Sequence, residues 1–561
     1  GDTAKNDLFD GITTNWSRLP NTGKITASIK KLNDNFKGQA PHASVKELLN
    51  LRKLLKAYNS NDPGAKWYVS LKLKEVEQLL QMALGLWAET TASDYQIIPG
   101  KNSEWNTQVI MRSNSNLRLV SVNLAGISDT VPNSNMEINK VFTLKRKLKI
   151  PENAAYSEPY WLSNAHEPGT YFVGKTALIG TPVNPPLFEI TYEFEIDGEK
   201  LILTKPLAYK SVDPVKGEVY RPVEVLPAVS VTPIESLVIF KKDEIKSVFF
   251  TVKANTDNIK GKFGLIPDDN IRFTILQPDI ELKKKNDEVV IEVKVSLLST
   301  GFSGKLNAFV NIDGVEYNKS IQRINYDHIP NRFKLEQASI HVMNLNIQMT
   351  PSRIGYIKGA GDEVPESLMQ LGYKVEMLSN EMLKNSDLSV YDAIITGVRA
   401  FNTNDQLGLY QSRLSEYVGN GGRFIVQYNT NSRVGPINTG IGPYKFTITR
   451  NRVTDEKAKV IFLNDTIGLL KYPNRITESD FDAWVQERGI YFAGDIDSNY
   501  VKVFSMNDPG EKSDQGSLIM ARYGKGYFVY TGLAFFRQLP AGVPGAYRLF
   551  VNIISQPVGQ P

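Results

Sequence analysis

Residues 353–397 read RIGYIKGAGDEVPESLMQLGYKVEMLSNEMLKNSDLSVYDAIITG, and the succession of element types in this stretch decides the fold. A short apolar strand at 354–357 runs into a loop carrying Gly359 and Gly361. A helix opens at Asp362 and Glu363, with Pro365 near its first turn, where a missing N–H costs little. Gly372 stops the helix, 373–378 alternates as a second strand, and the mostly apolar 391–396 is a third, as expected for a strand buried on both faces. Strand, helix, strand, helix, strand predicts a mostly parallel sheet wound with helices. Ligands of such sheets bind just past the C-terminal ends of the strands.

This α/β domain is expected to span 350–556. Gly421 and Gly422 precede another strand at 423–428, with Asn429, Thr430 and Asn431 at its end. A polar, aromatic block follows, with Arg450-Asn451-Arg452, then Trp484 and Glu487 within 484–488, then 491–495. Two arginines flanking an asparagine either bind a carboxylate or fold back as buried ion pairs. Tyr523-Gly524-Lys525-Gly526 reads as a hairpin turn, and the strand after it leads to Arg537. Position past the strands makes Asp362, Glu363, Arg399, Tyr428, Asn429, Arg450, Arg452, Trp484, Glu487 and Arg537 the ligand-binding candidates. The Gly359-Ala360-Gly361 loop also directs N–H groups at a helix start, a candidate anion site that Asp362 and Glu363 oppose. Acids there equally serve as caps.

Upstream the pattern differs. Residues 1–92 read as an α-helical segment. Ile25, Ile29, Leu32 and Phe36 share one helical face, and a capping box at Ser44 and Glu47 opens a second helix. A third helix runs over 67–87. From 93 to 226 the period is two: Phe188, Ile190, Tyr192, Phe194 and Ile196 alternate with Glu189, Thr191, Glu193 and Glu195, and Asp197-Gly198 makes a hairpin turn. This predicts a β-sandwich. Its Pro-rich loop, with Ser157, Glu158, Pro159, Tyr160 and Trp161 and then His166, Glu167, Pro168 and Gly169, either stacks on a sugar ring or plugs the sandwich end. Pro222, Pro227 and Pro233 mark a stiff linker. A second, Ig-like β-sandwich follows over 227–345, where Val289, Ile291, Val293 and Val295 alternate and Asp313-Gly314 turns a hairpin. Paired sandwiches of this kind are spacers or binding modules.

At 561 residues the chain needs several cores. A net charge of +5 with no dense Lys/Arg run gives no nucleic-acid footprint, and no apolar run is long enough to span a membrane. The opening residues are no signal peptide, and their polar start is expected of a segment cut from a longer polypeptide. With no cysteine there is no thiolate nucleophile or thiolate metal site. The four histidines, His42, His166, His328 and His341, have no zinc-ligand spacing. No Gly-x-Ser-x-Gly elbow and no phosphate-binding Gly-x-x-x-x-Gly-Lys-Ser/Thr is present. No catalytic and no metal residue is assigned.

The stretches IGYIKGAGDEVPESLMQLGYKVEML, YDAIITGVRAFNT, GGRFIVQYNTN, GPYKFTITRNRVT, DFDAWVQERGIYFAGD and YGKGYFVYTGLAFFRQLPAGVPGAYRLF, with DTAKNDLFDGITTNWSRL at the start, carry a resemblance. They look like the C-terminal, non-catalytic region of large bacterial PIG-L-type (N-acetylglucosaminyl deacetylase-like) proteins, and the last domain resembles the class I glutamine amidotransferase-like (flavodoxin-like) fold. The family's Ala-His-Pro-Asp-Asp and later His-x-x-His are absent, so no zinc ligand or general base carries over. The resemblance implies an accessory carbohydrate-binding or scaffolding region, periplasmic or secreted, whose partner is an upstream deacetylase domain of the same polypeptide. Zinc would belong to that upstream domain, with no cofactor in this chain and glycan as a candidate ligand. The alternatives are a stand-alone α/β hydrolase acting on carbohydrate through Asp362, Glu363, Arg399 or Glu487, and a purely structural scaffold.

Overall fold

The computed structural model describes residues 9–124, 127–164, 169–350, 352–431 and 440–555. The expected loop residues His166, Glu167 and Pro168 lie outside them. The protein is multidomain and mostly β, with helices near the N-terminus, and its chain groups into two compact units. The first holds 1–166, 171–228 and 322–334; the second holds the rest.

The first unit opens with helices Gly23–Asn35, Val45–Ala57 and Pro63–Ala83. The third is capped by Asp62, whose carboxylate accepts the N–H groups of Gly64 and Ala65, with Pro63 at its first position. It begins and ends four residues before the predicted 67–87, because that cap fixes its start. Val69, Val76, Leu80 and Ala83 are buried as the periodicity required, but Trp67 is exposed and Trp87 belongs to the first strand. The expected capping box is absent: Ser44 makes no side-chain cap, and Glu47 turns instead to Lys31 Nζ at 2.6 Å, Ser28 Oγ at 2.7 Å and Asn50 Nδ2 at 2.9 Å. The acid that sequence assigned to a cap therefore joins two helices.

Two antiparallel-rich sheets follow. Their side chains, Trp105 and Val109 from one and Leu119, Val122, Tyr192 and Phe194 from the other, enter one core shared with the helices. Buried hydroxyls of Thr90, Thr107 and Tyr192 satisfy one another at 2.7 Å across that core. The Asp197-Gly198 turn joins Ile196 to Glu199 as predicted. Pro222 is no linker residue: it pairs with Ala208 at the end of an edge strand, where a missing N–H is tolerated.

In the second unit a four-stranded and a six-stranded sheet face each other, with Phe250 against Phe263 at 5.3 Å. Pro233, also expected in a linker, sits in an edge strand opposite Phe250. Gln370 closes the edge strand Leu237–Phe240, accepting the Ile239 N–H at 3.1 Å and donating to the Leu237 carbonyl at 2.8 Å. Gln370 lies on helix Val364–Leu371, which ends at Gly372 with φ 103°.

That helix belongs to the C-terminal domain. Its sheet runs, by residue, Lys374–Met377, Arg353–Ile357, Ala393–Thr396, Arg423–Gln427, Gly526–Thr531, Leu518–Tyr523 and Val501–Lys502. The first five are mutually parallel and only Leu518–Tyr523 runs against both its neighbours, so the sheet is mostly parallel. Its strands are short and apolar because helices cover both faces.

The Glu47 carboxyl is held down at about 2 by its hydrogen bonds from Lys31, Ser28 and Asn50. A depressed carboxyl contributes stability above its unfolded value, 4.5, and loses it as pH falls from there towards 2. Glu47→Gln is expected to flatten this acid-side loss in helical circular dichroism. Identical pH profiles for the two proteins would contradict the assignment.

Candidate functional site

Four neighbouring parallel strands, Arg353–Ile357, Ala393–Thr396, Arg423–Gln427 and Gly526–Thr531, deliver their C-terminal ends to one rim. Asp362 organises it. Its carboxylate accepts the Tyr356 hydroxyl at 2.6 Å, the Val364 N–H at 3.2 Å and the Val398 N–H at 3.0 Å. Gln427 Nε2 then donates to the Tyr356 oxygen at 3.0 Å and to the Thr396 carbonyl at 3.2 Å. Burial, reinforced by the Asp362 charge, pushes the Tyr356 hydroxyl well above its ordinary range. Asp362 is thus a brace between two strand ends and a helix, and its own oxygens take the N–H groups that a bound anion would use. The two loops touch so closely that a Cβ on Gly359 would collide with the Val398 carbonyl. Glu363 stands exposed at the helix start, without a capping hydrogen bond from its side chain.

Arg399 sits where Ala393–Thr396 turns sharply into the short helix Ala400–Thr403. Its φ of 60° and ψ of 24° are left-handed, an uncommon conformation for a residue with a side chain. The turn is pinned on both sides: Arg399 N–H donates to the Tyr428 carbonyl at 2.8 Å, and Phe401 N–H donates to Asn429 Oδ1 at 2.9 Å. Asn402 answers with two bonds to the Thr430 backbone. Asn429 is 0 % exposed, so it fastens the turn and offers no surface to a ligand. The Arg399 side chain is exposed and has no carboxylate partner among the described residues.

Beside it the Tyr428 ring stacks on Tyr491 at 5.8 Å and 8° and leans on Phe536 at 5.2 Å. Burial raises the Tyr428 hydroxyl; the Arg399 and Arg537 cations pull it down, while Glu487 and Tyr491 raise it. Glu487 meets Arg537 Nε at 2.8 Å, and the Arg537 guanidinium lies 4.8 Å from the Phe536 ring. Arg399, Tyr428, Glu487 and Arg537 therefore converge. Arg450 extends the rim, reaching Asn431 Oδ1 at 3.3 Å.

Two predicted residues lie elsewhere. Arg452 pairs with Glu511 at 3.2 Å in an exposed ion pair, where the alternative expected a buried one. Trp484 is 3 % exposed, stacked on Phe481 at 5.3 Å with its indole N–H on the Asp480 carbonyl, which leaves no ring face for a ligand. Sequence reasoning missed Gln538, which is fully buried and holds the 485–487 loop through Val485 N–H, Val485 carbonyl and Glu487 carbonyl. It also missed Tyr491 and Phe536 as partners of Tyr428. The left-handed backbone at Ala483, Gln486, Tyr491 and Asp495 carries no sequence signal, since none is glycine.

Among the described residues no three His, Asp or Glu side chains gather as a metal site, and no helix is long and apolar enough to cross a membrane. No family model and no curated protein matches the chain by sequence. Solved structures similar to parts of it include a protein of unknown function from Porphyromonas gingivalis W83, at 9 % identity over 46 % of this chain and 99 % of that one, with a TM-score of 0.12. Salmonella alpha-2-macroglobulin matches at 10 % identity, 48 % of this chain and 16 % of that one, TM-score 0.16. Yersinia pseudotuberculosis InvD matches at 12 %, 47 % and 61 %, TM-score 0.15. Scores this low carry no argument about fold or function.

Tyr356→Phe removes the donor to Asp362 and the acceptor of Gln427 inside a buried network. Such losses cost about 1–3 kcal/mol, expected as faster hydrogen exchange at Arg423–Gln427. Unchanged protection there would refute the brace.

Proposed function

We propose that this chain is the accessory region of a large PIG-L-type carbohydrate deacetylase, periplasmic or secreted, and that its C-terminal domain binds an acidic sugar without turning it over. In finer detail this domain is read as glutamine amidotransferase-like, and the paired sheets upstream as two β-sandwiches that space or bind glycan. The helices would connect to the upstream catalytic domain, which would hold the zinc.

The observation that carries the reading is Arg399. A sharp strand-to-helix turn with a strained central residue is how α/β hydrolases present a nucleophile. Here the turn presents a guanidinium, held at φ 60°. A guanidinium cannot attack a carbonyl, but its forked donors match a carboxylate. Tyr428, Tyr491 and Phe536 beside it supply a fixed aromatic wall, and Arg450 a second cation on the rim.

Calorimetric titration with trigalacturonate is the test. Loss of one charge-assisted pair in Arg399→Ala is expected to weaken binding by about tenfold, while Arg452→Ala, already paired with Glu511, leaves it unchanged. Equal affinity in Arg399→Ala contradicts the reading. So does acetate release from acetylated oligosaccharides by this chain alone when Glu487→Gln abolishes it.

A further inference from the structure

The first unit contains a cleft of about 400 Å³ at the Pro-rich loop. We propose that it binds a ring of a neutral glycan against Trp161, a second sugar site separate from the Arg399 rim. The proposal rests on the reading of the chain as glycan-binding and gives that reading a site in the first unit.

The two aromatics of the loop differ in their contacts. Tyr160 is structural. Its N–H donates to Asn184 Oδ1 at 2.9 Å, its hydroxyl reaches the Thr181 carbonyl at 3.1 Å, and Asn184 returns a bond to the Glu158 carbonyl at 2.8 Å. Ser157 ties the loop's start to Val225 through two bonds. Trp161, set edge-to-face on Tyr160 at 4.9 Å, is left half-buried in the cleft wall.

The lining also includes Tyr220, whose hydroxyl is anchored on Glu89 at 2.9 Å, so its ring is held before any ligand arrives. Six lining residues are prolines, which stiffen the walls further. A preset cleft loses little freedom on binding. Aromatic faces are electron-rich and attract the polarised C–H groups of a pyranose.

One buried donor of the cleft lining lacks an acceptor. Arg221 lines it with its guanidinium stacked on Tyr95 at 3.6 Å and paired with the buried Glu224 at 2.7 Å, yet its Nε is buried without a hydrogen-bond partner. Trp161, half-buried, brings an indole N–H donor to the same lining. Buried donors are normally satisfied, so the Arg221 Nε calls for an acceptor oxygen. Glu224 does not supply it, because Arg221 Nη2 and Arg323 already hold its two oxygens, the latter at 3.0 Å. Sugar hydroxyls can. A proline-rich peptide also offers oxygens, but a cleft near the small end of ligand sites, roughly 300–1,000 Å³, fits one or two rings better than an extended strand.

The experiment uses the whole chain with three neutral probes, cellotetraose, chitotetraose and mannotetraose, and a deca-proline peptide. Binding is read by calorimetry and by the Trp161 indole proton resonance. At least one tetraose is expected to saturate and shift that resonance, with affinity reduced about tenfold in Trp161→Ala. Val183→Arg, placed on an exposed cleft wall where it spares the core, is expected to do the same and guards against misfolding of the first variant. Arg399→Ala should leave this binding intact, so failure of the acidic-sugar reading and failure of this site separate cleanly. No saturation by any tetraose, affinity within twofold in both cleft variants, or displacement of the Trp161 resonance by deca-proline alone overturns the proposal.

Discussion

The C-terminal domain depends on one carboxylate. Asp362 spends its oxygens on Tyr356, Val364 and Val398, and so locks the end of one parallel strand to the loop leaving the next. Next to that lock the turn at Arg399 adopts a left-handed conformation, which by itself is unfavourable by roughly 1–2 kcal/mol. Buried partners supply the difference: Asn429 and Asn402 hold the turn from one side, and Gln427 holds Tyr356 from the other. The result is a cation displayed at fixed height beside a fixed aromatic stack.

That arrangement favours recognition over chemistry. Arg399 is rigid at its backbone and free at its guanidinium, the combination that makes a charge-assisted contact strong without much ordering cost. Glu487, whose charge acts on Tyr428, faces Arg537. In the first unit a similar bracing recurs with different groups: Asn184 braces the loop that carries Trp161, and the buried Glu224 is paired with Arg221 and Arg323.

Much of this was legible in the sequence. Glycine-bearing turns at Asp197-Gly198, Asp313-Gly314 and Gly524 fixed their hairpins, because turn geometry admits few residues. Placing Arg399 and Tyr428 just past strands was enough to find the rim. What failed were inferences about side-chain direction. Trp484 and Asn429 sit in the right segments but point into the core, and one-dimensional spacing does not encode which way a loop residue faces. Glu47 had the spacing of a capping box and was taken instead by Lys31, sixteen positions earlier on a neighbouring helix, beyond any local rule. Gln538 left no trace, since its role depends on a loop that only tertiary contact brings to it.

The most direct measurement is the intact mass of the native polypeptide in its source cells, with the sequence of any part preceding residue 1. A chain longer than 62.8 kDa by about 200 residues or more, carrying a His-Pro-Asp-Asp segment upstream, is the predicted result. A native protein of 62.8 kDa with no such segment would contradict the assignment to a deacetylase.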